Sequence, residues 1–490
     1  MRKGTVIARL ALVALPALLL STQSGAQSPA PPSVEAVAAE IESLKKDYEA
    51  RLQALESQLA VLKAGERQPG DPAQGAKPAQ DNAFNPAIGV AFDGRYADFS
   101  SEDSAIPGFR SGHESERAPQ GLSLGHSEVT VSGNIDDKFR GNLTLGLGAH
   151  PGEATEVELE EAYVATTAGS GLPEGMRIKA GRALWTFGYL NELHAHGDDF
   201  ADRPLPYRAF LDNAFNDDGV EASFVLPTAL YSEIGGGLFR GDDTPFDGSD
   251  NGLKARSAYA RVGGDIGRDA AWRIGAYLLD GKSSGRGGGA HGHGHEDGHA
   301  GEEDHEDEHE EDHALHEDEH EEEHGDEHHD EHAAFFSEGA FTGDTRLYGI
   351  DVRFTVAPTG NARQSELILQ GEYFWRRQDG TYALAGEEDG EAHSEELSTD
   401  SLAYGWYVQA VYKLSPHWRI GARYAWLSPP EDAEIGHDPY AYGAMVDWTN
   451  SEFGRIRLQY NHEELDGHES DNQFMLQYVM SLGAHAAHSF

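Results

Sequence analysis

The stretch HWRIGARYAWL, residues 417–427, has two faces. Trp418, Ile420, Ala422, Tyr424 and Trp426 fall on one side of an extended chain, with Arg419, Gly421 and Arg423 on the other. Side chains alternate across a strand, so this period of two predicts a strand with one apolar and one polar face. The pattern recurs at 402–413, where Leu402, Tyr404, Trp406, Val408, Ala410 and Tyr412 share a face. It recurs again at 455–461, where Ile456, Leu458 and Tyr460 alternate with Arg455, Arg457, Gln459 and Asn461. A soluble sandwich also alternates, so a single strand does not decide the architecture.

Connection lengths do decide it. Sixteen candidate strands start near residues 86, 121, 137, 156, 174, 218, 229, 255, 271, 344, 362, 402, 416, 442, 453 and 471. Connections after even-numbered strands are mostly short. Those after odd-numbered strands are mostly long, including 97–120, 185–217, 281–343 and 378–401. Short turns at one end and long loops at the other predict an all-β transmembrane barrel of about 16 antiparallel strands, with 18 if a long connection hides a pair. The short turns and both chain ends then face the periplasm. The last strand, with Phe474, Leu476, Tyr478, Met480 and Leu482 on one face, runs toward a terminal Phe490, as an assembly signal read by the barrel-assembly machinery would require.

Four segments are predicted. Arg2 and Lys3, an apolar run to Leu20, and small residues at Ser24 and Ala26 read as a signal peptide over 1–26. Val34, Val37, Ile41, Leu44, Tyr48, Leu52, Leu55, Leu59 and Leu62 form a heptad seam with one stutter, which predicts a short α-helical coiled coil over 34–64. A lone helix with such a seam is marginal, so self-association is expected, and a trimer suits the barrel. A Pro- and Gly-rich linker covers 65–84, and the barrel covers 85–490.

Composition excludes several classes. The 490 residues contain no cysteine, so there is no thiolate metal site, Cys nucleophile or disulfide scaffold. A formal charge of −48 argues against nucleic-acid binding. A mean hydropathy of −0.57 argues against a helical membrane protein but not a barrel, whose strands are half polar. An enzyme is not expected, since no GxSxG nucleophile elbow and no HExxH metalloprotease helix is recognised.

The segments GMRIKAGRALWTFGYL at 175–190 and DDGVEASFV at 217–225 resemble barrel strands of bacterial porins of the phosphate-selective porin O/P-like group, in the variant with an N-terminal periplasmic coiled coil. The ending LGAHAAHSF at 482–490 resembles chains named zinc-regulated outer-membrane receptors of the TonB-dependent type. Only helix and linker precede the first strand, which leaves no length for a globular plug and favours an open pore. The resemblance to 16-stranded porins implies that the third long loop, 185–217, folds inward and narrows the channel.

That loop carries Glu192, His194, His196, Asp198, Asp199, Asp202 and Arg203 as constriction candidates, and it also contains Arg208. His194 and His196 with nearby carboxylates could hold a divalent transition metal, or stand as incidental residues of a solvated loop. With the apolar faces outward, the predicted pore lining is Lys138, Arg140, Arg177, Lys179, Arg273, Arg353, Arg419, Arg423, Arg455 and Arg457. Such a set favours anions if its charges are unneutralised, and carries no selectivity if they pair with acids across the lumen.

The tract 291–332 holds 13 His, 21 Asp or Glu and no Lys or Arg. His305, His309 and His313 stand four apart, as do His316, His320, His324, His328 and His332, with His329 between. On a helix these would stack imidazoles on one face and chelate Zn, Ni or Cu. His291, His293, His295 and His299 lie in a glycine-rich, flexible part of the tract. A solubilising acidic tract accounts for the carboxylates but not for the histidines. The reading is an outer-membrane channel for passive diffusion of small solutes or ions, with an external loop that binds Zn or another divalent metal and no obligatory cofactor. A TonB-dependent-type zinc receptor and a metal-binding surface protein without transport are the alternatives.

Overall fold

A computed structural model describes residues 86–483, with breaks at 102–103, 111, 113–116, 149–155, 247, 249–251, 286–333, 389–390 and 452. The signal peptide, coiled coil, linker, His-rich tract and Phe490 lie outside the described residues.

Sixteen strands form one sheet. They are β1 (Ala87–Phe99), β2 in two pieces (Gly121–Leu124 and Ser127–Asn134), β3 (Phe139–Gly148), β4 (Glu156–Thr166), β5 (Met176–Leu184), β6 (Asn216–Val225), β7 (Tyr231–Phe239) and β8 (Ala255–Ile266). The second half is β9 (Ala270–Ser284), β10 (Ala340–Val356), β11 (Glu366–Glu388), β12 (Glu391–Ser415), β13 (Trp418–Ser428), β14 (Tyr440–Ser451), β15 (Gly454–Glu464) and β16 (Ser470–Gly483). Each pairs antiparallel with its sequence neighbour. The sheet closes because β1 also pairs with β16, from Gly89 opposite Gly483 to Phe99 opposite Gln473. Closure satisfies every strand edge, which a membrane interior demands. Sixteen strands at ordinary spacing and tilt enclose a ring of about 30 Å between backbones, wide enough for an aqueous lumen.

The predicted faces hold. Ile88, Phe92 and Tyr96 of β1, Ile420 and Tyr424 of β13, and Phe474, Leu476 and Met480 of β16 are exposed, while Asp93, Arg423 and Gln477 on the opposite faces are buried. An apolar face turned outward all round a closed ring is a lipid-facing surface, so this is a barrel of the outer-membrane type. Aromatic residues mark two levels of it. At the short-turn end Trp418 lies opposite Trp448. At the long-connection end Trp406 packs on Tyr424 with ring centroids 5.5 Å apart, and Tyr348 stacks on Trp375 at 5.2 Å. Trp418 and Trp426 are eight residues apart on one tilted strand, a height of about 20 Å, close to the apolar band of such barrels.

Two expectations change. The acidic stretch 378–401 is not an irregular loop: β11 and β12 continue through it as a two-stranded ribbon, paired out to Glu388 opposite Glu391. Asp379, Glu395, Glu396 and Asp400 in it are exposed, and alternation no longer marks a strand there although the hydrogen-bond ladder continues. Lys138 does not line the wall; it stands exposed in the turn between β2 and β3, where its backbone N–H donates to Asp136 at 2.8 Å. The strand count among the described residues is the expected 16 rather than the alternative 18, with β2 interrupted at Gly125 and His126.

Candidate functional site

The connection from β5 to β6, residues 185–215, turns into the lumen as the resemblance implied. Its base is tied together: the Trp185 N–H donates to the Phe215 carbonyl, and Asn191 bonds the backbone of both Trp185 (2.7 Å) and Phe215 (2.6 and 3.0 Å). A short helix, α1 (Leu205–Leu211), lies inside it with every residue buried. Trp185, Phe187, Leu190, Tyr207, Phe210 and Phe215 form one apolar cluster with inward side chains of the wall, among them Phe239, Tyr277, Phe374 and Tyr407. More than half of the buried apolar residues among those described thus belong to this one cluster inside the barrel.

The loop touches the wall in three places. The first is at β8–β12. Glu192 pairs with Arg261, while the guanidinium groups of Arg273 and Arg353 both lie over the Tyr189 ring, 4.8 and 4.4 Å from its centroid. Glu372, fully enclosed, accepts hydrogen bonds from the backbone of Tyr189 and Leu190 and from the hydroxyls of Tyr207 and Tyr407. Burial and the nearby Glu372 charge hold the Tyr207 phenol well above its usual range, so it remains a proton donor.

The second place is at β12–β15. Arg419 bonds Asp199 at 2.8 Å and Asp447 at 2.5 Å; Arg423 bonds Asp202 at 2.5 Å; Arg457 bonds Asp447 at 2.8 Å and the Asp198 carbonyl at 2.9 Å. Arg455 donates to the His196 carbonyl at 2.8 Å, and Arg208 pairs with Glu463 at 2.8 Å. Within the loop, Arg203 holds Asp198 at 2.8 Å and the Leu190 carbonyl at 2.7 Å. In a ring of 16 strands β13 is diametrically opposite β5, so the loop reaches the far side of the lumen.

The third place is at β2 and β4. His194 Nδ1 lies 3.2 Å from both Glu128 and Glu160, and its Nε2 lies 3.2 Å from Glu161. His196 Nδ1 lies 3.0 Å from Glu128, and His126 Nε2 contacts Glu160.

Every predicted constriction residue therefore lies inside the barrel and meets the wall or its own loop. The predicted lining is divided. Arg273, Arg353, Arg419, Arg423, Arg455 and Arg457 face inward but are engaged by acids, carbonyls, amides or rings, and Lys179 bonds the Leu184 carbonyl and sits 4.4 Å over Trp185. Arg140 and Arg177 remain exposed near the short-turn end, with Arg140 3.4 Å from Ser132. Mutual neutralisation, rather than a basic column, is what the lumen shows. Sequence reasoning did not single out His126, Glu128, Glu161 or Arg261.

The search for catalytic motifs also needs correction. The letters GxSxG do occur, as GLSLG at 121–125 and GKSSG at 281–285, and HExxH occurs at 295–299, 305–309, 309–313, 316–320 and 320–324. GLSLG begins β2 and leads into the second piece of that strand, and GKSSG closes β9; Ser123 and Ser283 both lie within paired strands rather than at a strand-to-helix turn, so neither is a nucleophile elbow. The HExxH repeats lie outside the described residues.

The fold and lumen define a 16-stranded outer-membrane barrel with an inward constriction loop. The chain matches no family model. It is 26% identical over 436 residues to an uncharacterized protein of Aquifex aeolicus (strain VF5), covering 84% of this chain and 81% of that one. Among solved structures it is similar to OprB of Pseudomonas putida (TM-score 0.46, 10% identity, 81% of this chain and 95% of that one). Others are an anion-selective porin from Comamonas acidovorans (0.45, 10%, 81% and 98%) and the channel DcaP of Acinetobacter baumannii (0.44, 11%, 81% and 96%). The barrel itself stands on its closed hydrogen-bond ladder, not on these likenesses.

Proposed function

We propose that the protein is an outer-membrane channel passing small solutes or ions by passive diffusion, with residues 185–215 as its constriction. The observation that carries this is the loop's attachment to three separate parts of the wall of a closed 16-stranded ring. Barrels of this size leave an aqueous path, whereas the plugged transporters of the outer membrane use about 22 strands. Membership of the phosphate-selective porin O/P-like group is part of the reading and rests on the strand segments at 175–190 and 217–225. Buried pairing of the inward arginines favours low conductance and weak selectivity over a strongly anion-selective pore. Purified protein in planar bilayers should show stable small currents. A silent protein would overturn the channel and return the TonB-dependent-type receptor or a surface protein without transport.

The reading includes Zn, Ni or Cu binding by the tract 291–332, supported by the four-residue spacing of its histidines, and a homotrimer built through the coiled coil. The intact protein should take up several more equivalents of Zn in calorimetry than a 291–332 deletion; equal uptake refutes that assignment. Light scattering in detergent should give three chains per particle for the full chain and fewer when residues 34–64 are removed. Equal masses would remove the coiled coil from the assembly.

A further inference from the structure

Two of the wall strands lose their alternation at the same level. In β2, Leu122 and Leu124 face out on even positions, but after the break at Gly125 and His126 the outward residues are Val129 and Val131, on odd ones. In β4 the register with β3 jumps from Thr144 opposite Glu161 to Leu145 opposite Leu159, so Glu160 is an extra residue. Such a bulge re-aims side chains, and here it turns both Glu160 and Glu161 into the lumen, although neighbours on a strand ordinarily face opposite ways. Between them β3 presents Gly146, where a Cβ would stand 2.6 Å from Glu160 Oε1 and 3.0 Å from the His126 ring. The absence of a side chain there leaves room for the carboxylate and the imidazole to meet.

Into this spot the loop delivers His194 and His196, whose rings stack 5.9 Å apart. Donor atoms of His126, Glu128 and Glu160 lie within 4.8 Å of one another. Among the described residues, the ion pairs of Glu128, Glu160 and Glu161 are with histidines alone, unlike the Arg-paired acids elsewhere in the lumen. Zn bound tetrahedrally at its usual distances to N and O separates its ligands by about 3.4 Å. The separations from His194 Nδ1 to Glu128 and to Glu160 are 3.2 Å, and that from His126 Nε2 to Glu128 is 4.0 Å. Two imidazoles and two carboxylates also make a neutral set with a dication, which suits a largely enclosed position.

We propose that His126, Glu128, Glu160 and His194 form an internal site for a divalent transition metal such as Zn, joining the constriction loop to strands β2 and β4. Glu161 orients the site: with His194 Nδ1 on the metal, its Nε2–H donates to Glu161, the carboxylate–histidine–metal arrangement that fixes tautomer and ring plane. His196, bonded to Glu128, is the second positioning residue. Metal binding would fix the loop to the wall between the short-turn end and the arginine-held side.

This site is separate from the external tract, and its test does not depend on conductance. Crystals of the full-length protein grown with Zn should give an anomalous peak, present above the Zn absorption edge and absent below it, enclosed by these four side chains. In His126→Ala and His194→Gln variants, checked for folding by heat-modifiable electrophoretic mobility, the peak should vanish while Zn bound by the tract remains. Affinity for the internal equivalent should fall at least about tenfold in Glu161→Gln, with the four ligands retained. No peak in the wild-type crystals overturns the proposal, and so does a peak that persists unchanged in both His variants.

Discussion

The constriction loop is held on two sides of the lumen by different chemistry. Against β13–β15 it is held by arginines: Arg419, Arg423 and Arg457 meet Asp199, Asp202 and Asp447 in a network nearly closed to water. Against β2 and β4 it is held by histidines meeting glutamates. A guanidinium stays charged at any pH the protein meets, and its fork suits two-point contact with a carboxylate. An imidazole is charged only when protonated, and when neutral it is a metal ligand. The first attachment is therefore permanent, while the second is conditional on protons or metal. A loop fastened by both can stay inside the barrel while one part of it responds.

The comparison breaks first at Asp447, which is fully enclosed between Arg419 and Arg457. Asp447→Ala leaves both guanidinium groups buried without it, at a cost of about 3–5 kcal/mol in urea unfolding from lipid vesicles. A loss below about 1 kcal/mol, the worth of an exposed pair, would show that the network is not what holds the loop. Next comes the histidine side. Zn at about 100 times its dissociation constant should stabilise the wild-type fold by about 2.7 kcal/mol. The His126→Ala variant should lose most of this, and an undiminished gain there would place the effect on the external tract.

Tyr189→Leu removes the ring that Arg273 and Arg353 both lie over and should cost about 1–3 kcal/mol, with larger and noisier single-channel currents. Unchanged currents would show that this part of the loop does not border the path. The smallest effect is expected of Arg177→Glu at the exposed short-turn end: stability within about 0.5 kcal/mol, and a reversal potential moved toward cations. An unmoved potential would take Arg177 off the ion path.

Much of the barrel was legible because lipid imposes it. Where a strand crosses the apolar band, one face must be greasy, and the sixteen starts follow from that alternation. Legibility fails where the constraint stops. Beyond the band, Asp379 and Asp400 face each other in β11 and β12, with Arg377 reaching Asp400 at 2.8 Å, but neither strand needs an apolar face there. Inside, the polar faces showed that Arg419 and Arg457 point to the lumen, but two of their partners, Asp199 and the Asp198 carbonyl, come from a loop more than 200 positions away. Glu161 was hidden for a local reason: strict alternation puts it on the lipid side, and only an inserted residue brings it in. Two adjacent glutamates in a membrane strand were the available signal, since one of them would otherwise face hydrocarbon.

The span of the loop's attachments also sets an order of assembly. Arg208 bonds Glu463 across 255 positions, and Arg457 bonds the Asp198 carbonyl across 259. The wall closes only when β16 meets β1, pairing the two ends of the barrel sequence. Contacts so distant in sequence form late, after the chain between them has been ordered. A barrel still receiving its last four strands, β13–β16, therefore has its loop held at β8–β12 and at the histidines but not at the arginines. The lumen narrows to its final bore only as the wall is sealed.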